Sequence, residues 1–146
     1  MYLLFDIGGT KTRVALSSDL KKIGKSEIVS TPKNFKEGMA VFKKIVLQMA
    51  SGQKIKAACG GIPGSLDKNK TKLMYASNLR DWAKKPLKAE LEKMIDAPVY
   101  LENDADSAGL GEAVFGAGKN KNIVAYMTIS TGVGGTRIVD GKIDKN

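Results

Sequence analysis

Tyr2-Leu3-Leu4-Phe5-Asp6-Ile7-Gly8-Gly9-Thr10-Lys11-Thr12-Arg13-Val14-Ala15-Leu16 is the stretch on which the fold turns. Residues 2–7 are a buried-strand run ending near an acid, and Thr12 to Leu16 alternates, with Val14 and Leu16 on one face. The link Gly8-Gly9-Thr10 is short enough for a hairpin. Glycines in such a turn carry no Cβ, so backbone N–H groups can approach an anion closely. Thr10 and Lys11 add a hydroxyl and an ammonium as donors to phosphate oxygens, and Asp6 could hold a hydrated Mg²⁺. The turn is not a Walker loop, because the Gly-Lys-Ser/Thr ending is missing and a strand follows instead of a helix. Taken alone, it reads equally well as an ordinary glycine hairpin.

Working outward, a third strand is expected over 23–30, which makes an antiparallel meander at the start. Phe35, Met39, Phe42, Val46 and Met49 then fall on one helical stripe, with Asn34 as cap, Glu37 three residues later and Gly52 to end it. That stripe reads as core. A short strand, Ile55 to Cys59, runs into Gly60-Gly61-Ile62-Pro63-Gly64, and Leu66 to Tyr75 reads as a hairpin turning at Lys68-Asn69-Lys70. Pro86 suits the first turn of a second helix with Leu87, Leu91, Met94 and Ile95 inward. Val99 to Leu101 is a strand, and Asp104 to Phe115 a close-packed, small-residue helix. Ile123 to Ile129 and Thr136 to Val139 are strands, and Asp140-Gly141 is a turn signal. Strands alternating with helices give an α/β domain. The best linker is Gly116 to Asn120, so residues 1–117 are expected to form one domain and 118–146 the truncated opening of a second.

The 146 residues carry a net charge of +9 with no histidine and one cysteine, Cys59. Histidine catalysis and an internal disulfide are therefore excluded within this chain. The lysines are dispersed and no aromatic-plus-basic motif accompanies them, so the charge reads as a solvated surface and weighs against a nucleic-acid partner. No apolar run approaches the roughly 20 residues of a membrane span, and the first residues lack the pattern of a signal peptide. The expected location is cytoplasmic, with no membrane partner.

Three further constellations bear on chemistry. Ser130-Thr131-Gly132-Val133-Gly134-Gly135-Thr136 lies between two strands and repeats the chemistry of the first turn, and Gly-Gly-Thr occurs at both 8–10 and 134–136. Two such turns can close on a polyphosphate from opposite sides. Glu102-Asn103-Asp104-Ala105-Asp106 opens a helix after a strand, where open α/β sheets bind ligands. A carboxylate there can accept a proton from a sugar hydroxyl as its oxygen attacks a γ-phosphate, or it can merely cap the helix. In Ala76-Ser77-Asn78-Leu79-Arg80-Asp81-Trp82, the Asn78 amide can pair with a sugar hydroxyl, while Trp82 reads as packing.

In order, DIGGTKTRVAL, GGIPG, SNLRDW, ENDADSAGLGE and STGVGG resemble the motifs of the ROK family of sugar kinases and regulators, within the actin/hexokinase-like ATPases. The resemblance covers nearly the whole chain. It implies a ribonuclease H-like (actin-like ATPase) α/β domain with a mixed sheet and antiparallel hairpins at the start. It also implies a kinase that passes the γ-phosphate of ATP to a hexose or N-acetylhexosamine hydroxyl. By resemblance, Asp104 would be the general base, with Asn103 and Asn78 on sugar hydroxyls and Gly61 and Gly64 shaping the sugar side. Gly8, Gly9, Thr10, Lys11, Thr131, Gly132 and Gly134 would hold phosphates, and Asp6 would sit near Mg²⁺.

The chain also departs from the family. Members are typically about twice as long, as two ordinary domains require. The remaining half would carry the rest of the sugar site, a zinc site and the adenine pocket. Thr136-Arg137 replaces the usual glycine and aliphatic residue, with Arg137 expected to face solvent. The expectations are that this chain alone lacks appreciable kinase activity, and that its terminal hairpin pairs with another copy or with a separately encoded second lobe. A non-catalytic sugar- or nucleotide-binding module is the alternative. So is a sugar-sensing ROK regulator, although a winged helix would have to precede a motif that here begins at residue 6.

Overall fold

The computed structural model describes residues 1–129 and 132–144. Strands β1 (Tyr2–Ile7) and β2 (Lys11–Ser17) form the expected hairpin, in antiparallel register from Tyr2 opposite Ser17 to Ile7 opposite Thr12. Leu3, Phe5, Ile7, Val14 and Leu16 are buried, so the period-two pattern of the sequence is the inner face of the sheet. Strand β3 (Ser26–Ser30) pairs antiparallel with β2. It is shorter than the expected 23–30. Ser17 and Asp19 organise a loop instead: Ser17 Oγ donates to the Lys22 carbonyl, and Asp19 Oδ1 accepts from the Lys21 and Lys22 N–H groups.

Helix α1 (Phe35–Ala50) buries the whole predicted stripe. Asn34 caps it by accepting from the Glu37 N–H, and Ser51, in the left-handed region, ends it one residue before Gly52. The Phe42 ring meets Phe5 edge-on at 5.4 Å, which seats α1 on the sheet. Strand β4 (Ala57–Ile62) then runs parallel to β1. It includes Gly60, Gly61 and Ile62, which the sequence suggested as loop. Gly60 tolerates the strand because its Cβ position is filled, 2.2 Å from the Phe5 ring, so no other residue fits.

The short strands β5 (Ser65–Leu66) and β6 (Leu73–Tyr75) form the predicted hairpin. A single 3₁₀ turn, Arg80–Trp82, leads to α2 (Leu87–Ile95), with Pro86 at its N-cap and Leu87, Leu91 and Ile95 buried. Strand β7 (Val99–Asn103) completes a five-stranded mixed sheet in the order β3-β2-β1-β4-β7.

Helix α3 (Asp104–Val114) is followed by β8 (Ile123–Ile129), β9 (Val133–Val139) and β10 (Lys142–Ile143), an antiparallel sheet in the order β10-β9-β8. The chain parts into two compact units, Met1–Glu102 and Asn103 onward. The division expected after residue 117 therefore does not coincide with the parting of the compact units. The physical reason is α3. A Cβ on Gly109 would lie 2.3 Å from Thr136 and 2.9 Å from Tyr126, so the small-residue face of α3 packs directly beneath β8 and β9.

Candidate functional site

In the first unit, the Gly8–Lys11 turn is closed by the Gly8 N–H donating to the Lys11 carbonyl at 2.9 Å. A Cβ on Gly8 would sit 2.9 Å from that same oxygen. Thr10 and Lys11 are exposed, so the donors assigned to them by sequence face solvent. Asp6 lies opposite Arg13 on β2 and beside Gly61 on β4. Gly61 is thus buried in the sheet next to the strand that carries the turn. Gly64 has φ +95°, and a Cβ there would come within 2.0 Å of the Tyr75 carbonyl, so the tight bend after β4 requires glycine.

Asn78 is exposed and lies against the turn, since a Cβ on Gly9 would be 2.5 Å from the Asn78 Cβ. Two residues assigned to different ligands, one to phosphate and one to sugar, are therefore in direct contact. The segment behind Asn78 is rigidly anchored. Trp82 is buried, donates from Nε1 to the Pro32 carbonyl at 3.1 Å, and meets the Phe35 ring edge-on. It is a packing residue, as the sequence suggested.

In the second unit, Asn103 and Asp104 open α3. Asn103 Oδ1 accepts from the Ala105 and Asp106 N–H groups at 2.9 and 3.1 Å, so the carboxamide oxygen is used as the helix cap. Any bond to a sugar hydroxyl would have to come from Nδ2. Asp104 is half-buried at the first helical position, with Oδ1 2.9 Å from the Ala105 N–H. Asp104 and Asp106 both sit where the helix dipole favours negative charge. Glu102, by contrast, is paired with Lys70 from the β5–β6 turn within the first unit, which separates it from the acids that follow.

The second glycine turn differs from the first. Ser130 and Thr131 lie outside the described residues. Gly132 has open space where a Cβ would be. Gly134, Gly135 and Thr136 lie inside β9, with Gly134 opposite Thr128. The repeated Gly-Gly-Thr is therefore not a geometric repeat: one copy is a turn, the other strand. Gly134 is nevertheless close to the start of α3, since its Cβ would be 3.2 Å from the Ala105 Cβ, one residue beyond Asp104. Arg137 is largely exposed and pairs with Asp144 at 3.2 Å.

A lysine that gave no signal in the sequence stands beside the first turn. Lys33 Nζ donates to the Gly9 carbonyl at 2.6 Å and to the Asn78 carbonyl at 3.1 Å. Nothing in Thr31-Pro32-Lys33-Asn34 distinguishes it from the other dispersed lysines. Among the described residues there is no cluster of three metal-ligating side chains and no helix long and apolar enough to cross a membrane. A single carboxylate at Asp6 still fits Mg²⁺, which is usually held by one or two carboxylates together with substrate phosphates and water.

A profile described as ROK family matches residues 2–145. The glucokinase of Thermotoga maritima is 33% identical over 140 residues, covering 93% of this chain and 44% of the relative. The N-acetyl-D-glucosamine kinase of Citrobacter koseri is 32% identical over 147 residues, covering 97% and 47%. Among solved structures, a ROK family glucokinase from Streptomyces griseus, in complex with glucose and AMPPNP, superposes with a TM-score of 0.86 at 32% identity. That match covers 99% of this chain and 46% of the other. The chain thus spans about half the length of the relatives it matches.

Proposed function

The chain belongs to the ROK family, and on that premise we propose that it is the N-terminal part of an ATP-dependent sugar kinase. The observation that carries the reading is the contact of Gly9 with Asn78. A turn built to accept phosphate and an amide suited to a sugar hydroxyl are in van der Waals contact, as transfer between the two ligands requires. Similarity to kinases named for glucose and for N-acetyl-D-glucosamine supports a hexose or N-acetylhexosamine as the acceptor class.

The roles are those that the resemblance to the family implies. Gly8, Gly9, Thr10 and Lys11 hold phosphates on the first unit, and Thr131, Gly132 and Gly134 do so on the second. Asp6 takes the metal through water, and bound Mg²⁺ supplies charge neutralisation. Asn78 and Asn103 contact sugar hydroxyls, with Gly61 and Gly64 shaping that side. Asp104 accepts the proton of the attacking hydroxyl as the sugar oxygen bonds to the γ-phosphorus and ADP leaves with the electrons of the broken P–O bond. Residues 118–146 open the second lobe, and ATP as donor places the reaction in the cytoplasm.

Binding and turnover separate in this reading, because the relatives are about twice as long as the matched region. Calorimetric titration of the chain with glucose, N-acetylglucosamine and Mg²⁺–AMPPNP is expected to show saturable binding of nucleotide and of one sugar. Asn78→Ala is expected to weaken the sugar about tenfold, the loss of one or two hydrogen bonds at roughly 1 kcal/mol each. A coupled assay on the chain alone is expected to show no sugar-dependent ADP. Absence of binding for every ligand would overturn the reading.

A further inference from the structure

We propose that the segment Thr31 to Phe35 is a strap that couples the phosphate turn to the sugar-side loop, with Lys33 as its positioning residue. The inference rests on the sugar-kinase reading above and adds to it how the two ligand sites of the first unit communicate. The segment joins β3 to α1 and is bonded on both sides. Toward the turn, the Thr31 N–H donates to the Thr10 carbonyl at 2.8 Å, the Thr31 and Thr12 hydroxyls share a buried bond at 2.8 Å, and Lys33 Nζ reaches the Gly9 carbonyl at 2.6 Å. Toward the Asn78 loop, Lys33 Nζ reaches the Asn78 carbonyl at 3.1 Å, and the Phe35 N–H donates to Asp81 Oδ2 at 2.9 Å. On that side the Pro32 carbonyl also accepts from Trp82 Nε1 at 3.1 Å.

Most of these bonds tie the strap to one loop or the other. Lys33 alone among them ties both through a single ammonium. An ammonium offers three donors and no acceptor, so two carbonyls within reach hold it by charge-assisted bonds. The bond to Gly9 also has a geometric consequence. The Gly9–Thr10 peptide is trans, so its N–H points opposite to its carbonyl. With that carbonyl turned to Lys33, the Thr10 N–H is directed away from the lysine, which fixes the aim of one assigned phosphate donor. The Asn78 loop is held by the same ammonium, and Gly9 and Asn78 touch. Ordering of the turn by phosphate therefore also orders the residue that meets the sugar. Coupling of this kind is reciprocal: each ligand must tighten the other by the same factor.

Two variants test this in the intact chain. Lys33→Met keeps the aliphatic stem and removes every donor, and Lys33→Arg keeps the charge and the donors. Amide hydrogen exchange without ligand is the first measurement. Gly9–Lys11 and Asn78–Arg80 are expected to exchange faster together in Lys33→Met and to return toward the original rates in Lys33→Arg. Exchange that changes in one segment only, or in neither, overturns the strap. Glucose titration with and without Mg²⁺–AMPPNP is the second measurement. The original chain is expected to bind glucose about fivefold tighter with nucleotide present, at the low end of ordinary coupling. In Lys33→Met that ratio is expected to fall to near one, with each ligand still bound alone. Equal coupling in both chains overturns the inference and leaves the sugar-kinase reading standing. No binding of either ligand by the original chain overturns that reading and the coupling with it.

Discussion

Asn103 has one observed task and one proposed one, and a single substitution can separate them. Its carboxamide oxygen caps α3, and its Nδ2 is the group proposed to meet a sugar hydroxyl. Asn103→Ala removes both, and loss of such a cap costs about 1 kcal/mol. In a domain of this size that lowers the melting temperature by about 3 °C. Asn103→Asp keeps an oxygen acceptor at the cap and places a favourable charge at the helix start. It is therefore expected to melt with the original chain while binding sugar more weakly, because the amide donor is gone. Thermal melts and glucose titrations on the two variants check the separation. Equal loss of stability in both would show that the amide supports the fold through contacts other than the cap. The same residue shows the limit of the sequence. It left capping and chemistry as alternatives for Asn103 and Asp104, because both uses call for the same residue types at a helix start. The structure assigns the cap to Asn103, and Asp104 Oδ1 also lies 2.9 Å from the Ala105 N–H, so geometry at the helix start does not by itself separate the two uses for Asp104.

At the scale of elements, the β5–β6 hairpin is organised around one carboxylate. Asp67 accepts from the Lys72 N–H, the Thr71 N–H and the Thr71 hydroxyl, and its carboxyl is held below the ordinary range. The Lys72 N–H is the largest cause, with some desolvation opposing it. The sign follows from that depression. The contribution is present at pH values above the unfolded pKa of about 4 and is lost as the pH falls through the lower folded value. The difference in melting temperature between the original chain and Asp67→Ala is expected to be steady near neutrality and to shrink as the pH drops below about 4. A difference that persists unchanged to pH 2 would sink this account. This hairpin was legible in the sequence, down to its Lys68-Asn69-Lys70 turn, as were the helical stripe of α1 and the opening hairpin. Their signals are local periodicity and turn chemistry. The extent of β4 was not legible, because Gly60 and Gly61 read as loop until the Phe5 ring is seen to occupy the missing side-chain space. The role of Lys33 was hidden for a related reason, since its partners lie 24 and 45 residues away and are backbone carbonyls.

At the scale of the whole molecule, two features oppose each other. One face of the β8–β9 sheet packs on α3, while the other leaves Ile123, Met127, Ile129 and Val133 exposed, each by more than 60%. Register places Ile129 opposite Val133 and Met127 opposite Gly135, so these three side chains form one apolar patch, with the Ala125–Arg137 pair between it and Ile123. Such a face seeks cover. In a chain that spans about half the length of its relatives, the cover we assign is the remainder of the second lobe. Without it, a second copy of the chain is the available surface. Against that stands a net charge of +9, which makes copies repel at low salt. Salt decides between the two, because the Debye length falls from about 10 Å at 0.1 M to about 3 Å at 1 M while apolar attraction persists. The isolated chain is therefore expected to be monomeric in dilute buffer and to self-associate as sodium chloride is raised. Met127→Lys with Ile129→Lys is expected to keep it monomeric throughout. Light scattering across concentration at both salt levels checks this. Association that weakens with salt would instead mean that oppositely charged patches, and not the bare sheet face, bring the copies together.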